Sequence, residues 1–295
     1  MYKNYYGFSQ KPFSLLPNPD FLYLAKNHSI ALSILDFGIM NESGFTVITG
    51  EIGAGKTTLV RYLLNQLNVE ELTVGLVSNT LRSFGELLQW ILFSLGQHNQ
   101  CKTKVELYQV FVEFLLQEYA EGRRVILIID EAQNMDVETL EELRILSNIN
   151  ADQDQILQII LIGQPQLRET LTKPELEQFA QRIVADYHLE PLSNTEVIEY
   201  IRHRLQVVGG DPNLFDFHAM NYIAYFSKGV PRLVNMICDL ALVYGFVEQT
   251  KIITSDIVTE VINDKMRSGL TPMKQAINLF KPSATSQLNE TVVSP

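Results

Sequence analysis

The sequence predicts an α/β protein, a doubly wound sheet of five parallel strands followed by a small all-α domain. Three observations lead there. Short apolar runs such as Val125–Ile129 and Ile156–Gly163 alternate with stretches whose apolar residues recur at helical spacing. The first such run, "GFTVIT", passes directly into a glycine-rich loop, "GEIGAGKTT", and then a helical pattern. Beyond Pro191 the strand runs stop and only helical patterns remain.

The elements follow in order. Residues up to about Ile39 read as irregular and then helical. "KPFSLLPNPDFLYL" carries three prolines, whereas "HSIALSILDFGI" repeats apolar residues at helical spacing. Strand one falls at Phe45–Thr49, with a helix in "KTTLVRYLLNQL" after the loop. A second strand fits Leu72–Ser78, and helices fit Phe84–Leu95 and Val105–Tyr119. The wholly apolar Val125–Ile129 suits a strand buried on both faces, Ile156–Gly163 is another, and Val184–Leu192 makes a fifth. Then "NTEVIEYIRHRLQVVG", "DFHAMNYIAYF", "GVPRLVNMICDLALVYGF" and "TSDIVTEVINDK" read as helices separated by Asn, Asp, Gly, Ser or Pro. The expected division is a nucleotide-binding core with an N-terminal segment over 1–190, a helical domain over 191–266 and a flexible tail over 267–295. Within the tail, "MKQAINLF" is the one stretch able to form a short docking helix.

Composition narrows the class. With 295 residues, 46% of them hydrophobic, the chain can bury one large core or two modest ones. Cys101 and Cys238 are far apart and form no C-x-x-C, so neither a disulfide framework nor a zinc site is expected. No apolar run approaches the length of a membrane span, and "MYKNYYGFSQ" lacks a signal peptide's apolar core, so a cytoplasmic protein is expected. The net charge of −11, without a basic run longer than two, disfavours broad electrostatic binding to DNA or anionic membrane.

The loop Gly50-Glu51-Ile52-Gly53-Ala54-Gly55-Lys56-Thr57 fits G-x-x-x-x-G-K-[ST] at every fixed position. Glycines let the backbone turn tightly and aim N–H groups at an anion, and the following helix adds its positive end. Lys56 then reaches the β- and γ-phosphates of ATP and the Thr57 hydroxyl holds Mg²⁺, with Thr58 completing the nucleotide-contacting run. Asp130-Glu131 follows the strand Val125–Ile129. A strand end delivers both carboxylates to the edge where open α/β sheets bind ligands. Asp130 is assigned to Mg²⁺, and Glu131 to orienting and polarising the attacking water.

Four further polar residues are candidates. Gln164, ending the next strand, suits sensing of the γ-phosphate, and Asn79, ending strand two, suits restraint of Glu131. Arg182, just before the fifth strand, can reach a nucleotide on a neighbouring subunit, whereas Arg232 opens a helix that can fold back on the phosphates. Arg202-His203-Arg204 is expected only to solvate its helix face.

In this order these residues resemble the AAA+ ATPases, with "GVPRLVN" similar to that superfamily's lid and its sensor-2 arginine. Within it the chain resembles the general-secretion-pathway A-type ATPases from residue 1 to about 265. "YYGFSQKPFSLLPNPDFLYL", "GFTVITGEIGAGKTT", "DEAQNM", "LIGQPQL", "QRIVADYHLEPL" and "GVPRLVNMICD" carry that likeness. "GEIGAGKTTLVRYLL" and "EELRILSN" favour the secretion ATPases of exosortase/PEP-CTERM exopolysaccharide loci. The resemblance implies Lys56 and Thr57 in the Walker A loop and Asp130 and Glu131 in Walker B. It implies Gln164 at sensor 1, Arg182 as the finger and Arg232 at sensor 2. It also implies a homo-oligomer working with envelope secretion or polysaccharide-export proteins, at the inner membrane only through a partner. Larger relatives carry a transmembrane segment and a peptidoglycan-binding domain that this sequence lacks, so direct action on the cell wall is not expected. Two alternatives stay open: a DNA-bound AAA+ regulator of the transposition or replication-initiator type, and a nucleotide-held scaffold, which intact Glu131 argues against.

Overall fold

The computed structural model describes residues 1–41, 44–67, 71–78, 84–97, 103–151 and 154–268. A short helix α1 (Tyr2–Tyr6) precedes a proline-rich stretch with a 3-10 turn at Pro19–Phe21. Helix α2 (Lys26–Met40) leads to β1 (Phe45–Gly50), the glycine-rich loop and α3 (Lys56–Leu64). Next come β2 (Leu72–Val77), α4 (Phe84–Ser94), α5 (Lys104–Ala120) and β3 (Arg124–Ile129). A 3-10 turn at Ala132–Asn134 and α6 (Val137–Leu146) are followed by a small antiparallel ribbon, β4 (Asn150–Ala151) with β5 (Asp154–Gln155). Then β6 (Leu157–Gly163), α7 (Pro165–Leu171), α8 (Glu177–Ala180) and β7 (Ile183–Leu189) complete the sheet. Helices α9 (Asn194–Val207), α10 (Phe217–Ser227), α11 (Pro231–Val247) and α12 (Ser255–Ser268) follow.

The five long strands are parallel in the order β2-β3-β6-β1-β7, the doubly wound sheet the sequence predicts. Val47 and Ile129 both pair with Leu161, so β1, β3 and β6 deliver their carboxyl ends side by side. Every residue of β6, and of β3 from Val125 onward, is buried, which is why those runs are apolar but for Gln158, whose side-chain amide donates to the Ile39 carbonyl at 3.1 Å. One face is covered by Leu87, Phe111, Leu140 and Phe179, the other by Leu35, Leu59 and Leu63. The β4–β5 ribbon was not anticipated, because two residues per strand carry no periodic signal.

The last four helices enclose a cluster of their own, including Val197, Ile201, Ile223, Ile237 and Val258. Tyr2, Phe8, Phe13, Phe21 and Ala25 bury in this same cluster. The sequence reading grouped the N-terminal segment with the sheet; its apolar side chains instead pack with the distant helices. The segment has no periodicity to announce a face, and full burial of each phenylalanine contributes about 1.5–3 kcal/mol wherever a complementary surface exists.

One anchor of this packing corrects another expectation. Arg204 does not solvate a helix face but is 6% exposed. Its Nε donates to the Pro12 carbonyl at 2.6 Å, its Nη1 to the Tyr200 hydroxyl at 2.8 Å, and its guanidinium lies 4.6 Å from the Phe21 ring centre. Carbonyl, hydroxyl and ring together replace the water this cation gives up. Asn79, Cys101 and "MKQAINLF" lie outside the described residues, and Cys238 is a free, buried thiol. Among the described residues no helix is long and apolar enough to cross a membrane.

Candidate functional site

The loop after β1 takes the shape its glycines permit. Gly53 and Gly55 have φ of 81° and 102°, a left-handed region that costs other residues strain. At Gly53 a side chain is also excluded by contact, since a Cβ would lie 2.5 Å from the Cβ of Arg232. The backbone N–H of Arg232 donates to the Gly53 carbonyl at 3.2 Å. Pro231, which has no N–H to lose, occupies the first turn of α11, so this helix start abuts the loop directly.

Lys56 is the first residue of α3 and is buried, with Nζ donating to the carbonyls of Gly50 and Glu51 at 2.7 and 2.9 Å. Burial pulls its ammonium below the usual lysine range, while Glu131, Asp130 and Glu51 oppose that shift. The Thr57 hydroxyl donates to Asp130 Oδ2 at 2.9 Å, and the Glu131 N–H donates to Asp130 Oδ1 at 2.9 Å. Glu131 itself is left-handed at φ 58°, a conformation that costs a non-glycine residue about 1–3 kcal/mol and is concentrated at functional sites. Its Oε2 accepts from the side-chain amides of Gln133 at 2.5 Å and Gln164 at 3.2 Å.

The donors fit a nucleotide triphosphate: loop amides, a desolvated lysine and an arginine converge on one mouth. A hydroxyl opposite a carboxylate, Thr57 with Asp130, fits Mg²⁺, which takes few protein ligands and completes its shell with phosphate oxygens and water. Among the described residues no group of three or more His, Cys, Asp or Glu side chains could hold a metal unaided.

Beside the loop lies a cavity of about 200 Å³. Lys56, Thr57 and Thr58 border one end, Asn18, Leu22 and Tyr23 a side wall, and Tyr200, Arg204 and Asn235 the lid. The lid residues form a relay, since the Tyr200 hydroxyl accepts from Arg204 and donates to Asn235 Oδ1 at 2.9 Å. Burial pushes the Tyr200 phenol up, so it keeps that proton. Buried His28 places Nε2 3.1 Å from the Ala54 carbonyl under the loop, and burial lowers its pKa. Neutral, it donates there through Nε2.

The structure therefore brings Gly50 through Thr58, Asp130, Glu131, Gln164 and Arg232 together. It does not bring Arg182 to the same mouth. Ile183 pairs with Phe45, so Arg182 lies at the amino edge of the sheet, opposite the loop, with Nη1 donating to Ser147 Oγ at 3.1 Å. Sequence reasoning missed Gln133, His28, Tyr200, Arg204 and Asn235. Gln133, three residues after Asp130, and Asn235, three residues after Arg232, lay close enough to a motif to be found.

Residues 39–171 match the family described as an AAA domain. The chain is 41% identical over 260 residues to general secretion pathway protein A of Aeromonas hydrophila, covering 87% of this chain and 47% of that protein. It thus spans about half the length of that relative. Among solved structures it is similar in fold to the Aeropyrum pernix ORC1 protein in complex with DNA, with TM-score 0.65 and 16% identity over 88% of this chain and 70% of that one. The A. pernix ORC2 protein in its ADPNP–ADP complexes gives 0.62 and 16% over 87% and 72%. A Walker-type ATPase of Pyrococcus abyssi gives 0.56 and 18% over 90% and 79%. The chain thus has a P-loop AAA fold, with an AAA domain matched over residues 39–171, and is similar to general secretion pathway protein A over 260 residues.

Proposed function

We propose that this chain is an ATPase that works as a homo-oligomer in a bacterial envelope secretion or exopolysaccharide system. The observation that carries the enzymatic part is the joined Thr57–Asp130–Glu131 arrangement at the mouth of the phosphate loop. The loop amides and Lys56 hold the β- and γ-phosphates. Thr57 and Asp130 hold Mg²⁺, which when bound neutralises charge on the phosphate oxygens. Glu131 orients a water whose oxygen bonds to the γ-phosphorus as the bond to the β–γ bridging oxygen breaks. ADP leaves with that oxygen, and the water's proton passes by way of Glu131. Gln164 contacts the γ-phosphate, Arg232 steadies it from the lid, and Arg182 serves a neighbour's nucleotide.

Sequence identity to general secretion pathway protein A supports the envelope setting. Within that setting, the motifs "GEIGAGKTTLVRYLL" and "EELRILSN" support an exosortase/PEP-CTERM exopolysaccharide locus. The protein then works at the cytoplasmic side and meets the inner membrane through a partner. The second reading, a DNA-bound regulator, draws on the fold it shares with ORC proteins. At 16% identity that likeness carries the fold and no partner, and the charge of −11 disfavours it.

Phosphate release from ATP, with and without magnesium, tests the ATPase reading. Turnover that stops on chelation is expected, and no turnover at any concentration of protein contradicts it. Mixing Lys56→Ala with Arg182→Ala subunits tests sharing of sites, because each alone is expected to be nearly inactive and the mixture to recover part of the activity. Labelled duplex titrated at physiological salt with ATP is expected to bind weakly; nanomolar affinity promotes the DNA reading.

A further inference from the structure

Glu131 is held from two directions, and one residue takes part in both. Gln133 lies in the 3-10 turn just after it. The Gln133 side-chain amide donates to Glu131 Oε2 at 2.5 Å, while its Oε1 accepts the backbone N–H of Gln164 at 2.9 Å. The Gln164 side-chain amide donates to the same Glu131 Oε2 at 3.2 Å. Three residues thus close a ring that ties the end of β3 to the end of β6.

Space for this ring depends on Gly163, the last residue of β6. A Cβ there would lie 3.1 Å from Gln133 Oε1 and 2.7 Å from Leu167 Cδ2, so a side chain would press on the bridge. The two glutamines are not equivalent. Gln133 has both ends engaged, one on a carboxylate through a charge-assisted bond and one on backbone that moves only with the sheet. The side chain of Gln164 makes one longer contact to Glu131, so it is the member able to turn toward a phosphate.

Resting on the reading of Glu131 as the water-orienting carboxylate, we propose that Gln133 is a positioning residue for hydrolysis. It fixes the Glu131 carboxylate by Oε2, leaves Oε1 for the attacking water, and keeps that orientation when Gln164 turns to the γ-phosphate. Arrival of the γ-phosphate is thereby passed to Glu131 through one fixed and one movable amide.

The test measures phosphate release and ATP binding for the parent, Gln133→Met, Gln133→Glu, Gln164→Ala and the Gln133→Met/Gln164→Ala pair. Losing a hydrogen bond to a charged group is expected to lower kcat of Gln133→Met about tenfold or more, with ATP binding within about twofold of the parent. Gln133→Glu keeps an acceptor for the Gln164 N–H but sets a second carboxylate against Glu131. Its kcat relative to the parent is expected to rise as pH falls, because the protonated carboxyl donates again; Gln133→Met is expected to show no such rise. In the Gln164→Ala background the Gln133→Met substitution is expected to cost at least as much as it does alone, because Gln133 is then the remaining amide on Glu131 Oε2. Parent-like kcat in Gln133→Met, or a Gln133→Glu ratio flat with pH, overturns the proposal. If Gln133→Met fails to fold, the Gln133→Glu profile decides. A parent that binds ATP and releases no phosphate counts against the ATPase reading itself, and this proposal falls with it.

Discussion

At the phosphate end of the cavity, the functional groups hang from strand ends and from the backbone of one loop. Gly50, Asp130 and Gln164 lie at or directly after the ends of three adjacent strands, and Lys56 begins the helix that follows the loop. At the lid end the walls are side chains held by packing across great sequence distance, as in the Arg204 bond to Pro12, 192 residues away. The first arrangement is set by local backbone geometry and tolerates little change of residue type. The second is set by complementary surfaces, so its parts stand or fall with the lid cluster. The contrast predicts that substitutions at the lid end act through folding, and those at the phosphate end through chemistry.

The largest effect on stability is expected at the lid end. Phe13, fully buried among the lid helices, should cost about 3–5 kcal/mol when changed to alanine, read as a lowered denaturation midpoint. If the two regions are as distinct as their construction, the folded fraction of Phe13→Ala retains phosphate release. A variant that melts like the parent breaks the comparison.

At the phosphate end the expectation reverses. Lys56→Ala removes a charge-assisted contact of about 2–3 kcal/mol, so ATP affinity should fall about 30- to 150-fold. The melting temperature without nucleotide should stay near the parent's or rise, because the substitution relieves a desolvated ammonium. Fluorescent-nucleotide titration beside a thermal melt reads both.

The smallest effect sharpens the boundary between the regions. Tyr200→Phe deletes one hydroxyl from the Arg204–Tyr200–Asn235 relay and should cost about 1–2 kcal/mol of stability. ATP affinity should shift severalfold while kcat holds. A change in kcat instead would mean that the lid relay reaches the chemistry.

The same contrast explains what the sequence made legible. The phosphate loop could be read directly because its chemistry demands glycine, lysine and a hydroxyl at fixed spacing. The buried strands were legible because Val125–Ile129 has no polar residue to expose. Gln133 was passed over because an amide in a turn looks like ordinary loop polarity until Gly163 and Gln164 are placed beside it. Arg204 was misread because a charged residue on a helix normally faces water; the Pro12 carbonyl and Phe21 ring of the N-terminal segment, with the Tyr200 hydroxyl, make its burial tolerable. The aromatic residues of that segment, Phe8, Phe13 and Phe21, gave no periodic signal, and their partners lie beyond Pro191.

The most direct test of the central claim separates holding a nucleotide from hydrolysing it. Glu131→Gln removes the carboxylate's charge while keeping its shape and leaving Lys56, Thr57 and Asp130 intact. ATP binding with magnesium should remain within about threefold of the parent, while phosphate release should fall about 100-fold or more. Full turnover in Glu131→Gln would contradict the account, because it would remove from the chemistry the residue around which Asp130, Gln133 and Gln164 are arranged.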